Sequence, residues 1–106
     1  LISSLRESAS SQMLEALGRG VPIVGINQHG VAAFMPTDCG HLVEVGERAA
    51  VTADLAAGLA SILDLSDSEW SKVSARARAA ADHMAWPEKA AALLATFKKL
   101  TKPAVR

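Results

Sequence analysis

Apolar positions recur along this chain in two rhythms, and the change between them falls near Gly46. Before that point they come in short runs. Leu1 to Leu5 reads as the end of a buried strand. Val21-Pro22-Ile23-Val24-Gly25-Ile26 is nearly continuous and rich in β-branched residues, the pattern of a strand covered on both faces of a parallel sheet. Its proline stands at the start, where a missing N–H is tolerated. A third strand, His41 to Val45, follows the turn at Asp38-Cys39-Gly40. Between the first two runs, Met13, Leu14 and Leu17 share one face of a helix over about Ser11 to Arg19. Ser10 or Ser11 is its N-cap, and Gly18 and Gly20 bracket its end. Asn27-Gln28-His29-Gly30 is a polar loop, and Val31 to Met35 forms one short helical turn before Pro36.

From Val51 onward the period is helical. Thr52 is placed to cap a helix with Leu55, Leu59, Ile62 and Leu63 on one side, and Ser66 with Glu69 has the spacing of a capping box. The helix behind that box carries a stripe of Trp70, Val73, Ala77, Ala80 and Met84. Trp86-Pro87-Glu88 opens the last helix, with proline at its first position and Ala90, Leu93, Leu94, Phe97 and Leu100 as its expected buried face. Lys98, Lys99 and Lys102 complement the dipole at its end, and Pro103 closes it. The implied class is α/β: a partial Rossmann-like parallel sheet with right-handed crossovers, followed by C-terminal helices. One unit is expected, with 1–46 its strand-helix-strand part and 47–106 its helical part. Three strands are few for a parallel sheet, so the chain reads as a fragment of a larger domain with further strands before Leu1.

Composition narrows the function classes. The 11 basic and 11 acidic residues cancel, so no general positive field draws the chain to nucleic acid or to an anionic membrane. No apolar run reaches the roughly 20 residues of a membrane-spanning helix. Cys39 is the single cysteine, which excludes an internal disulfide and fits a reducing, cytoplasmic setting. Cys39, His29, His41 and His83 have no zinc-ligand spacing, so no metal site is expected. Gly18-Arg19-Gly20 precedes a strand instead of following one, the wrong side for a dinucleotide fingerprint. No Gly-x-Ser-x-Gly elbow is present, which leaves the serines to caps and turns.

The chemistry concentrates in Glu7-Ser8-Ala9-Ser10-Ser11-Gln12-Met13-Leu14-Glu15, a loop of small residues leading into a helix between two carboxylates. Unpaired N–H groups from about Ala9 to Gln12, backed by the helix dipole, suit a diphosphate. Glu15, farther along the helix, is positioned to accept hydrogen bonds from ribose hydroxyls, and Glu7, on the strand side, from those of a sugar at the other end. Strand-to-helix loops at the carboxyl ends of parallel strands are where open α/β sheets bind ligands. Arg6 reads as a surface residue.

Ser4-Leu5-Arg6-Glu7, Leu14-Glu15-Ala16-Leu17 and Gly20-Val21-Pro22-Ile23-Val24 together resemble the C-terminal signature of family 4 (group 1) retaining glycosyltransferases of the GT-B fold. Gly30, Cys39-Gly40-His41-Leu42-Val43 and Ala85-Trp86-Pro87-Glu88 look like further landmarks, so the likeness spans nearly the whole chain. It implies that Glu7 is the catalytic-site acid contacting the donor sugar and Glu15 the acid on the nucleotide ribose. Ser8, Ala9, Ser10, Ser11 and Gln12 would line the donor-binding loop. It also implies metal-independent transfer with retention from a nucleotide diphosphate sugar, no separate cofactor, and an acceptor held by an N-terminal domain. The isolated fragment would then be inactive, and the full enzyme cytoplasmic or peripheral at the inner membrane face. Ser8-Ala9-Ser10 departs from the family's glycine-aromatic-glycine run and lacks glycine's freedom at positive φ. That departure favours a second reading, a non-catalytic interaction or scaffold domain; an epimerase on a related fold is a third, against which the paired glutamates argue.

Overall fold

The computed structural model describes residues 1–8 and 10–101. Helix α1 (Ser11–Gly18) leads to strand β1 (Ile23–Ile26), helix α2 (His29–Phe34) and strand β2 (Gly40–Val43). Three helices follow: α3 (Arg48–Leu63), α4 (Asp67–Asp82) and α5 (Trp86–Leu100). The chain is thus mixed α/β, with a two-stranded parallel sheet ahead of its C-terminal helices. The register of β1 and β2 runs from Ile23 opposite Gly40 to Ile26 opposite Val43.

The expected first strand is reduced to one parallel bridge, Ile2 with Gly25, fixed by the Ile2 N–H donating to the Val24 carbonyl at 2.8 Å. The third strand ends at Val43 and not at Val45, because Glu44 and Val45 turn away and Val45 is exposed. Even so, the backbone at Ile2, β1 and β2 runs in one direction, so the loops after all three open at one edge.

All four residues of β1 are buried, as its continuous apolar run demands. Successive side chains leave on opposite faces of a strand. On one face, Ile23 packs with Ile2, Met13, Leu17, Val31, Met35, Cys39 and Ala77. On the other, Val24 lies against α3 at Gly58, where a Cβ would stand 3.1 Å from a Val24 methyl. Helices therefore cover both faces of this small sheet.

Helix ends follow local chemistry closely. At the end of α1, Gly20 takes φ 73°. Its N–H donates to the Leu17 carbonyl at 2.8 Å, and the Val21 N–H to the Ala16 carbonyl at 2.9 Å, a Schellman closure that turns the chain into β1. Ser66 and Glu69 form the expected capping box of α4, whose Ala77 is buried and whose Val73 and Ala80 are half-buried; Met84, expected on the same stripe and also half-buried, lies in the turn past its end at Asp82. Thr52 is not a cap: α3 starts a turn earlier with Glu47 at its N-cap, and the Thr52 hydroxyl donates back to the Arg48 carbonyl at 2.8 Å. A hydroxyl four residues into a helix finds that carbonyl instead of free amides.

The largest departure is α5. It starts at Trp86, so Pro87 stands second in the helix and not first as expected, and no residue on it is buried. Leu93, Leu94, Phe97 and Leu100 are all more than half exposed, so the expected buried face has no cover among the described residues. Trp70 is likewise exposed on α4. Periodicity reports that one helix side is apolar, not that another element lies against it. Lys98 and Lys99 do occupy the last turn of α5; Lys102 and Pro103, assigned by sequence to its end, lie outside the described residues. Among the described residues, no single helix is long and apolar enough to cross a membrane.

Candidate functional site

The loop from Ile2 to α1 is anchored by its own backbone. Glu7 is half-buried, and its carbonyl accepts the Gly30 N–H at 2.7 Å. This docks the Glu7-Ser8 backbone on the start of α2. Gly30 is required there by space alone, since a Cβ would collide with the Ser8 carbonyl. The preceding residue, His29, has φ 50°, a left-handed conformation that histidine tolerates better than most side chains and that turns the chain from β1 into α2.

Ser10 is the N-cap of α1. It is buried, and its Oγ accepts the Met13 N–H at 3.2 Å while its carbonyl accepts the Leu14 N–H at 3.2 Å. The chain's own hydroxyl therefore takes one of the orphan amides at this helix mouth. The Ser11 and Gln12 amides donate to no described residue, and both side chains are exposed. The first turn carries no acid, so the positive end of the α1 dipole is left without a neutralising carboxylate. Ala9, expected to contribute an amide, lies outside the described residues.

Glu15 is exposed, on the side of α1 away from the buried Met13 and Leu17. Residues four apart share a helix face, which places Glu15 directly below Ser11 with about 5–6 Å between Cβ atoms. Neither Glu7 nor Glu15 makes a side-chain hydrogen bond or ion pair with a described residue. Arg6 is exposed, as expected.

Two further features lie at the same edge of the sheet, and sequence reading did not find either. Asn27, just past β1, donates from Nδ2 to Glu44 Oε1 just past β2 at 2.6 Å, tying the two loops together. A groove of about 310 Å³ opens beside α1, walled by Met13, Leu14, Phe34, Met84 and Trp86, with Ser10 and Lys89 as its polar members. Neither Glu7 nor Glu15 lines it. The Asn27-Glu44 pair links residues 17 apart, a separation at which no periodicity speaks.

Cys39 is buried in the core, its Sγ 3.7 Å from Asp38 Oδ1. Burial pushes its thiol above the ordinary value of 9.0, and the Asp38 carboxylate adds to the rise, partly offset by Arg76. Such a thiol is a packing residue, not a nucleophile. Among the described residues, no group of three or more His, Cys, Asp or Glu side chains is arranged to hold a metal ion.

No protein-family model and no curated protein matches this sequence.

Proposed function

We propose that the chain is the donor-binding part of a retaining glycosyltransferase, a Rossmann-like domain that holds a nucleotide diphosphate sugar. The observation carrying this reading is the mouth of α1, which has two undirected amides, no acid in its first turn, and Glu15 one turn below on Ser11's face. A diphosphate would rest on the Ser11 and Gln12 amides, with Glu15 accepting from the ribose hydroxyls. Glu7, fixed through Gly30 on the other side of the loop, would accept from the hydroxyls of the donor sugar. The acceptor, and basic groups to offset leaving-group charge, would come from the acceptor domain and other parts of the enzyme.

Magnitudes limit what this chain does unaided. One helix terminus contributes about 0.3–1 kcal/mol, and each hydrogen bond to a charged group about 1.5–3 kcal/mol. After association costs, donor binding at about 1 mM or weaker is expected. A second reading, a scaffold whose loop no longer takes a ligand, draws on the Ser10 hydroxyl already occupying the Met13 amide.

Titration of isotope-labelled chain with UDP- and GDP-sugars separates the two. Amide shifts confined to Ser8 through Glu15, reduced by Glu15→Ala, support the donor site. Spectra unchanged up to roughly 50 mM sugar nucleotide, well above a dissociation constant of about 1 mM and still above one several times weaker, would leave the scaffold reading.

A further inference from the structure

The donor site proposed for the mouth of α1 leaves the adjoining groove unused. Four segments build that groove: Met13 and Leu14 come from α1, Phe34 from the end of α2, Met84 from the turn after α4, and Trp86 and Lys89 from the start of α5. They meet because α4 runs back along α1, with Arg78 reaching the Arg19 carbonyl and Ala81 beside Gly18, so the turn after α4 arrives at the first residues of α1. The groove measures about 310 Å³. A cavity of about 150 Å³ holds one benzene ring, so this one has room for two fused rings. Two thioethers and two aromatic side chains stand among its five apolar walls. Sulfur–ring and ring–ring contacts reward a flat aromatic body over a flexible alkyl chain.

Two polar groups interrupt the apolar lining. Ser10 is buried, and its Oγ accepts the Met13 N–H while its hydroxyl proton goes to no described residue. A buried donor is normally met by an acceptor, and an oxygen of a bound molecule would supply one. Lys89 forms no ion pair with a described residue, whereas its neighbour Glu88 lies toward His83, with Oε1 3.6 Å from Nδ1.

We propose that this groove binds a small aromatic carboxylate, with its rings against the apolar walls and its carboxylate at Lys89 and the Ser10 hydroxyl. The inference is independent of the glycosyltransferase reading. A concave site with an apolar body and a few convergent polar groups is the form that small-molecule sites take. A second copy of the chain fits it poorly, because a stable dimer engages about 20–30 residues a side and this groove is lined by seven. An apolar side chain inserted from another polypeptide would fill the walls and leave both polar groups unmet. The cation and the unused hydroxyl proton therefore call for an anionic oxygen, and the thioethers and rings for an aromatic body to carry it.

The experiment is titration of isotope-labelled chain with naphthalene-2-carboxylate, read from backbone amide, methionine methyl and Trp86 indole signals. Shifts are expected at Met13, Leu14, Phe34, Met84 and Trp86, with a dissociation constant of about 1 mM. The matching naphthyl alcohol, which keeps the rings and lacks the charge, should bind about fivefold more weakly, and decanoate, which keeps the charge and lacks the rings, should do the same. Lys89→Met alters an exposed side chain, so circular dichroism should stay unchanged while the carboxylate loses about fivefold and the alcohol keeps its affinity. Leu14→Trp should fill the groove and abolish binding of both. No shift at the groove up to about 10 mM carboxylate, equal binding of carboxylate and alcohol, or undiminished binding by Lys89→Met overturns the proposal. Decanoate binding as tightly as the aromatic acid would assign the groove to an acyl chain and overturn it equally. So would a concentration-dependent dimer that Leu14→Trp abolishes, which would assign the groove to a second copy. The aromatic acid has neither a diphosphate nor sugar hydroxyls, so its failure to bind leaves the donor reading at Ser11 to Glu15 standing.

Discussion

Gly30 shows how one missing carbon sets the geometry of a loop. Its N–H holds the Glu7 carbonyl and its bare Cα lets the Ser8 backbone pass. Gly30→Ala should destabilise the fold by about 1–3 kcal/mol, the range for forcing an atom into filled space. Urea denaturation measures the loss, and a variant as stable as the parent would show that this contact is dispensable. Because the collision is with backbone, no side-chain rotation relieves it, and the loop carrying Glu7 must move. The importance of this glycine could be suspected from its place in a post-strand loop, but its partner could not. Ser10 is the contrary case: its cap bond spans three residues, and the chain narrowed the cap to Ser10 or Ser11 before the structure chose Ser10.

Among the elements, α4 is the most fully specified by its own sequence. The Ser66 hydroxyl accepts the Glu69 N–H, and the Ser66 N–H and hydroxyl donate to Glu69 Oε2 at 2.9 and 2.6 Å. These bonds favour the charged carboxylate and hold its pKa below the ordinary 4.5. A carboxylate with a lowered folded pKa contributes stability that is present above 4.5 and lost as pH falls through the folded value. The first turn of α4 should therefore fray on acidification, read as faster amide exchange at Asp67 to Glu69. Ser66→Ala should remove about 1 kcal/mol at neutral pH and flatten that dependence. Helix α3 shows the limit of such signals. Thr52 is a good N-cap residue by type, yet α3 starts a turn earlier, no side chain caps it, and it packs on β1 and β2 through its middle at Gly58.

For the molecule as a whole, extents of 62 × 34 × 18 Å describe a small α/β core with α5 as an uncovered arm. Local stability follows covering contacts, so hydrogen exchange should grade from slow in β1 to fast in α5. Protection in α5 equal to that of β1 would mean that the helix is covered in solution. The long helices, the central strand and the capping box of α4 were legible in the order of residues because hydrogen bonds within a turn and side-chain alternation along a strand act over a few positions. The buried run Ile23 to Ile26, the Gly20 closure and the Ser66 box belong to that class. The Asn27-Glu44 tie, the seating of Glu7 on Gly30 and the exposure of Leu93 and Phe97 do not. Each depends on what the folded chain brings, or fails to bring, against a given face, and an apolar stripe carries no record of its partner.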